Sequence, residues 1–199
     1  MKDDIDDISS IEDSDTKEII IRIPIIESKN NYIINLDSDI DMPSTYRKVF
    51  EILRIAKKEE IIYFNINSLG GDIDTAIQFF ESIMNTKAKT IANIYVACSA
   101  AVIIALCCDE INISKFGYIM LHNMSSSLEG KVSDMQSYTD FIIKQDKKIA
   151  DFLYQGFLTP LEIKEVSKGK EFWLDQQNIN IRLKNFKSIK QRNLKESNK

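Results

Sequence analysis

With 199 residues, 44% hydrophobic and 28% charged, the chain has the size and balance of one globular domain. No apolar run approaches the roughly 20 residues of a membrane span, and the opening Met1-Lys2-Asp3-Asp4-Ile5-Asp6-Asp7 lacks the apolar stretch of a secretory signal. Neither a membrane role nor export is expected, and the expected location is cytoplasmic.

The net charge of -4 hides an asymmetry: residues 1–17 carry seven acidic and two basic side chains, residues 182–199 seven basic and one acidic. These read as an acidic N-terminal tail (1–17) and a basic C-terminal tail (182–199) flanking a domain at 18–181. The basic tail has one aromatic, Phe186, and no nucleic-acid motif, so no nucleic-acid partner is expected.

In chain order, Ile19 to Ile26 and Tyr32 to Leu36 are rich in β-branched residues and read as strands. Pro43 opens a helix with Asp41 or Ser44 near its cap and Val49, Phe50, Leu53 and Ala56 as its apolar stripe. Ile61 to Ile66 is a buried strand ended by Asn67-Ser68-Leu69-Gly70-Gly71, and Ala76, Ile77, Phe80, Ile83 and Met84 mark the next helix. Thr90 to Val96 is another strand. Ser99 to Cys108 follows as a helix without a polar face, which belongs at the centre of a domain. Ile111 to Ile113 and Tyr118 to Leu121 read as two short strands. From Gly130 a long amphipathic helix carries Met135, Tyr138, Phe141, Ile142, Ile149, Phe152 and Leu153 on one side. A short helix from Pro160 to about Ser167 and an extended piece at Glu171-Phe172-Trp173-Leu174 complete the pattern. Repeated βα units predict an α/β fold with a mostly parallel sheet. Cys98, Cys107 and Cys108 lie in one apolar segment without zinc-ligand spacing and read as small buried hydrophobes.

Open α/β sheets collect functional groups at the carboxyl ends of their strands. Gly70-Gly71, Ser99 and His122 (the single histidine) each follow a predicted strand. A serine opening a helix has its hydroxyl and the next N–H at the positive end of the helix dipole, and two glycines let backbone N–H groups approach closely. A nucleophile, a base and converging N–H donors are what peptide hydrolysis requires. Each feature has a plainer explanation: a structural turn, an N-cap serine, a histidine satisfied in the core. Their common position at strand ends favours the joint reading.

These residues carry a family resemblance. Asn65-Ile66-Asn67-Ser68-Leu69-Gly70-Gly71 is similar to the asparagine-serine-proline-glycine-glycine loop of the Clp protease proteolytic subunit (ClpP) family, with Leu69 at the proline. Cys98-Ser99-Ala100-Ala101 resembles its nucleophile turn, Ile119-Met120-Leu121-His122-Asn123 its histidine strand end, and Gly130-Lys131 with the following helix its handle. The similarity runs from about Ile20 to about Leu174 and is strongest to divergent bacteriophage members. Tyr95 and Ala101 stand where the family usually has glycine.

The resemblance implies an α/β, ClpP/crotonase-like spiral of βαβ units with a projecting helical handle. It implies a serine endopeptidase in which Ser99 attacks, His122 transfers the proton and the N–H groups of Gly71 and Ala100 hold the oxyanion. Glu171 falls in the slot of the family's orienting aspartate, with Asp175 a nearby rival. No metal or cofactor is implied. Peptides or unfolded proteins are the implied substrates, self-association into stacked rings the implied assembly, an ATP-dependent unfoldase the implied partner, and a bacterial or phage-infected host cytoplasm the implied location. Two other readings stay open. One is a catalytically inactive ClpP-like structural or regulatory subunit. The other is a crotonase-type acyl-CoA enzyme, which would not need Ser99 and His122 together.

Overall fold

A computed structural model describes residues 25–28, 31–125, 129–184 and 186. The acidic segment 1–17, and the basic segment from 182 apart from residues 182–184 and 186, lie outside the described residues. One six-stranded sheet runs in chain order: β1 (Ile25–Ser28), β2 (Asn31–Leu36), β3 (Ile61–Ser68), β4 (Lys89–Cys98), β5 (Glu110–Leu121) and β6 (Phe172–Asp175). β2 to β5 are parallel, and β1 and β6 are antiparallel edges. This is the mixed α/β architecture of the ClpP fold.

The two faces of the sheet differ. Ile34 and Leu36, then Ile62, Phe64 and Ile66, then Ala92 and Ile94 point into the core. On the other face Asn65 Nδ2 donates to Asn35 Oδ1 (2.8 Å), Asn93 Nδ2 to Asn65 Oδ1 (3.1 Å) and Asn112 Nδ2 to Asn93 Oδ1 (3.1 Å). These four asparagines are paired in register across four strands. A one-residue slip of β3 or β4 would break two of these bonds and turn that strand's apolar residues to the other face, so the ladder fixes register.

Helices cover the core face. A 3₁₀ turn (Pro43–Tyr46) leads into α1 (Arg47–Ile55), which buries Val49, Ile52 and Leu53. α2 (Ile73–Asn85) is capped by Asp72, whose side chain accepts from the Thr75 N–H at 2.7 Å. α3 (Ala100–Cys107) is buried at all eight positions, as its lack of a polar face predicts. α4 (Val132–Leu153) differs: of its 22 residues only Ala150 and Leu153 are buried, while Val132, Tyr138, Phe141 and Ile143 are exposed, so most of it stands off the body. α5 (Pro160–Val166) starts with a Thr159–Glu162 capping box, and α6 (Gln176–Leu183), not expected from the sequence, follows β6. Among the described residues no helix is long and apolar enough to cross a membrane.

The sequence suggested two short strands where the structure has one, β5. Ile94 pairs with Ile113 and Val96 with Tyr118, so β5 accommodates extra residues around Ser114–Gly117 without leaving the sheet. The polar Ser114-Lys115 pair interrupts the apolar pattern there, which is why the strand looks broken in sequence.

Candidate active site

The parallel strands β3, β4 and β5 end at Ser68, Cys98 and Leu121, and the diglycine turn, Ser99 and His122 follow directly. Ser99 has φ 52° and ψ -122°, the one positive φ outside glycine among the described residues. Such a conformation costs on the order of 1–3 kcal/mol and persists only where the surroundings impose it. Here they do: the Ser99 N–H donates to Met120 O of β5 at 2.8 Å, and Ser99 O accepts from the Val102 N–H of α3 at 3.0 Å. The hydroxyl makes no capping bond to α3. It lies instead 2.7 Å from His122 Nε2. The capping explanation of this serine therefore fails on geometry.

Gly70 and Gly71, at φ 107° and 139°, form the turn against Ser99. A Cβ on Gly70 would lie 2.7 Å from Ser99 Cβ, 2.8 Å from Cys98 O and 3.2 Å from Ala100 N. No side chain fits there. Gly71 forms a parallel bridge with Ile40, whose N–H donates to Gly70 O (2.6 Å) and whose carbonyl accepts from the Asp72 N–H (2.7 Å). In that pattern the N–H of Gly71 itself points away from Ile40. Ala100 is the first residue of α3, and its N–H is one of the helix's unpaired first-turn donors.

Glu171 is placed by the β5–β6 register. Tyr118 pairs with Asp175 and Leu121 with Phe172, so the next antiparallel position sets Glu171 opposite His122. Its side chain is exposed and accepts from Trp173 Nε1 at 3.0 Å. Among the described residues no carboxylate hydrogen-bonds the imidazole. Asp175 lies four positions away along β6 and caps α6, accepting from the Asn178 N–H and Nδ2 at 2.8 Å each. These bonds from Asn178 hold its carboxyl below the usual range. Ser99, His122 and the Gly70-Gly71 turn thus come together, while Glu171 adjoins them in register without a bond.

The sequence reading did not single out Asp146. With Ser99 and His122 it lines a tight recess of about 20 Å³, and its Oδ1 accepts from the Met124 N–H at 2.8 Å, bracing the chain after His122. A signal existed: on α4, Asp146 interrupts the apolar stripe Ile142, Ile149, Leu153 at helical spacing. Tyr95, at the register shift of β4, does not line the recess. Cys98 beside Ser99 is buried, which raises its thiol pKa and disfavours a thiolate nucleophile. Among the described residues no cluster of His, Cys, Asp and Glu could hold a metal ion.

An α/β sheet with a strained serine on a strand-to-helix turn and a histidine at the next strand end defines a class of hydrolase-like sites. The sequence pattern of the Clp protease family matches residues 20–180, and the chain belongs to that family of peptidases. It is similar to the ATP-dependent Clp protease proteolytic subunit 2 of Borreliella burgdorferi, with 27% identity over 138 residues, 68% of this chain and 70% of that protein.

Proposed function

We propose that the chain is a serine endopeptidase acting through Ser99, His122 and Glu171. The observation that carries this reading is the 2.7 Å contact between His122 Nε2 and a Ser99 hydroxyl that caps nothing. His122 takes the hydroxyl proton as Oγ attacks the peptide carbonyl, then returns it to the leaving amine. The N–H groups of Gly71 and Ala100 stabilise the oxyanion, each such donor being worth about 3–4 kcal/mol of barrier. Glu171 orients His122 after leaving the Trp173 indole; its register position opposite His122 supports that role.

Peptides or unfolded proteins are the proposed substrates. The exposed Tyr138, Phe141 and Ile143 of α4 suit self-association into stacked rings, and the relative's designation as ATP-dependent favours an unfoldase partner in the cytoplasm. One observation favours a second reading, an inactive ClpP-like subunit: the bond from Trp173 that holds Glu171 away from His122. Turnover of fluorogenic peptides separates the two. Wild-type hydrolysis abolished by Ser99→Ala and by His122→Gln supports the peptidase, whereas no wild-type hydrolysis, or hydrolysis that survives either change, rejects it.

A further inference from the structure

β5 stops at Leu121, and His122 begins the segment that leaves the sheet. On the near side of His122 the backbone is fixed: Leu121 pairs with Phe172 of β6, and Met120 O accepts the Ser99 N–H at 2.8 Å. On the far side a single bond holds the chain. The Met124 N–H donates to Asp146 Oδ1 at 2.8 Å, and among the described residues Asn123, Met124 and Ser125 make no other hydrogen bond. The acceptor stands on firm ground. Most of α4 is off the body, but just beyond Asp146 the helix is seated, with Ala150 and Leu153 buried and Ile149 packed against the core. Asp146 is itself half-buried, and a charge-assisted bond of this kind is stronger than a neutral one.

We propose that Asp146 is a positioning residue for the reaction: by holding the Met124 N–H it fixes the backbone beyond His122 and keeps Nε2 2.7 Å from the Ser99 hydroxyl. The inference rests on the peptidase reading of Ser99 and His122. With Leu121 and Met124 both tied, only His122 and Asn123 lie between fixed points, and few backbone torsions are left to swing the ring away. Without the Asp146 bond the segment is tied at Leu121 alone. Displacing a reacting group by about 1 Å can cost about 100-fold, so a bond that touches neither substrate nor imidazole can govern turnover. Asp146 serves here as an acceptor, and an amide oxygen at the same place fills that role nearly as well.

The test measures kcat and KM for a fluorogenic tripeptide aminocoumarin amide on the full-length protein, per folded chain. Asp146→Ala should lower kcat on the order of 100-fold with KM within about twofold. Asp146→Asn keeps an oxygen for the Met124 N–H and should stay within about fivefold of wild type. Asp151→Ala removes an exposed carboxylate from the same helix and should change neither constant. Against a Met124→Pro background, which has no N–H to donate, Asp146→Ala should lower kcat by less than about twofold. A second readout needs no turnover. His122 is the single histidine, so carbethoxylation by diethylpyrocarbonate reports on its ring alone. It should run about tenfold faster in Asp146→Ala and within about twofold of wild type in Asp146→Asn. Wild-type kcat in Asp146→Ala, an Asp146→Asn protein as slow as Asp146→Ala, or an undiminished loss in the Met124→Pro background would overturn the proposal. Peptide turnover without these effects refutes the role of Asp146 and leaves the peptidase. A wild-type chain that hydrolyses no peptide yet shows the carbethoxylation pattern refutes the peptidase and leaves Asp146 as the anchor of His122, and one that shows neither refutes both.

Discussion

Gly70→Ala is the change that most directly probes how the diglycine turn holds the nucleophile. At φ 107° an alanine costs about 1–2 kcal/mol of backbone strain. Its Cβ would also stand 2.7 Å from Ser99 Cβ and 2.8 Å from Cys98 O, so one of the two turns must retreat by about 0.7 Å to reach an ordinary 3.4 Å contact. Overpacking of that kind adds about 1–3 kcal/mol. The sum, about 2–5 kcal/mol, lies below or at the low end of the 5–15 kcal/mol by which domains are usually stable. Catalysis should suffer more, since displacement of a reacting group by about 1 Å can cost about 100-fold. We expect peptide turnover per folded chain to fall on the order of 50-fold. Gly156→Ala is the control: its φ is 83°, but its nearest neighbour, Phe186 Cδ2, is 4.0 Å away. It should show the backbone-strain loss in urea unfolding with turnover within about twofold of wild type. A Gly70→Ala protein that is folded and turns over at the wild-type rate would refute the argument that this turn positions Ser99.

Three further outcomes follow from the geometry. Glu171→Gln should lower turnover by up to about 10⁴-fold while Glu171→Asp retains it, and equal activity of the two variants would remove Glu171 from the mechanism. Arg182 grips Glu162 through two bonds of 2.7 and 3.0 Å and, with Thr159, lowers its pKa to about 2. Because that pKa is depressed, the stabilisation is present above the ordinary value near 4.5 and is lost as pH falls from there towards 2. With screening of a partly exposed pair it amounts to about 1–2 kcal/mol, so Glu162→Gln should weaken urea resistance at pH 7 and make little difference near pH 2. Sedimentation should find an assembly far larger than the 22.9 kDa chain, and Phe141→Asp on the exposed face of α4 should weaken it; a wild-type monomer would refute ring formation.

How much of this was legible in the sequence depends on the range of the interaction. The strands and the apolar α3 announce themselves by local composition, and the order of Gly70-Gly71, Ser99 and His122 at strand ends follows from the βα rhythm. Local patterns hid β5, because Ser114 and Lys115 break its apolar run while the sheet continues through them. They hid α6 too, whose capping residue Asp175 looked like a rival for the site. Asp146 needed the tertiary structure: only the packing of α4 against α3 brings it to the recess, 24 positions beyond His122. The strain at Ser99 was equally invisible, since it arises from its bonds to Met120 and Val102 rather than from its neighbours in sequence.

The claim that Ser99 is an activated nucleophile is tested most directly by treating the purified full-length chain with a fluorophosphonate and locating the adduct by peptide mass spectrometry. The geometry predicts one phosphonylated residue, Ser99, with labelling lost in His122→Gln, because the 2.7 Å contact to Nε2 is what activates the hydroxyl. No adduct on the wild-type chain, or an adduct on Ser125 or another serine with Ser99 untouched, would contradict it.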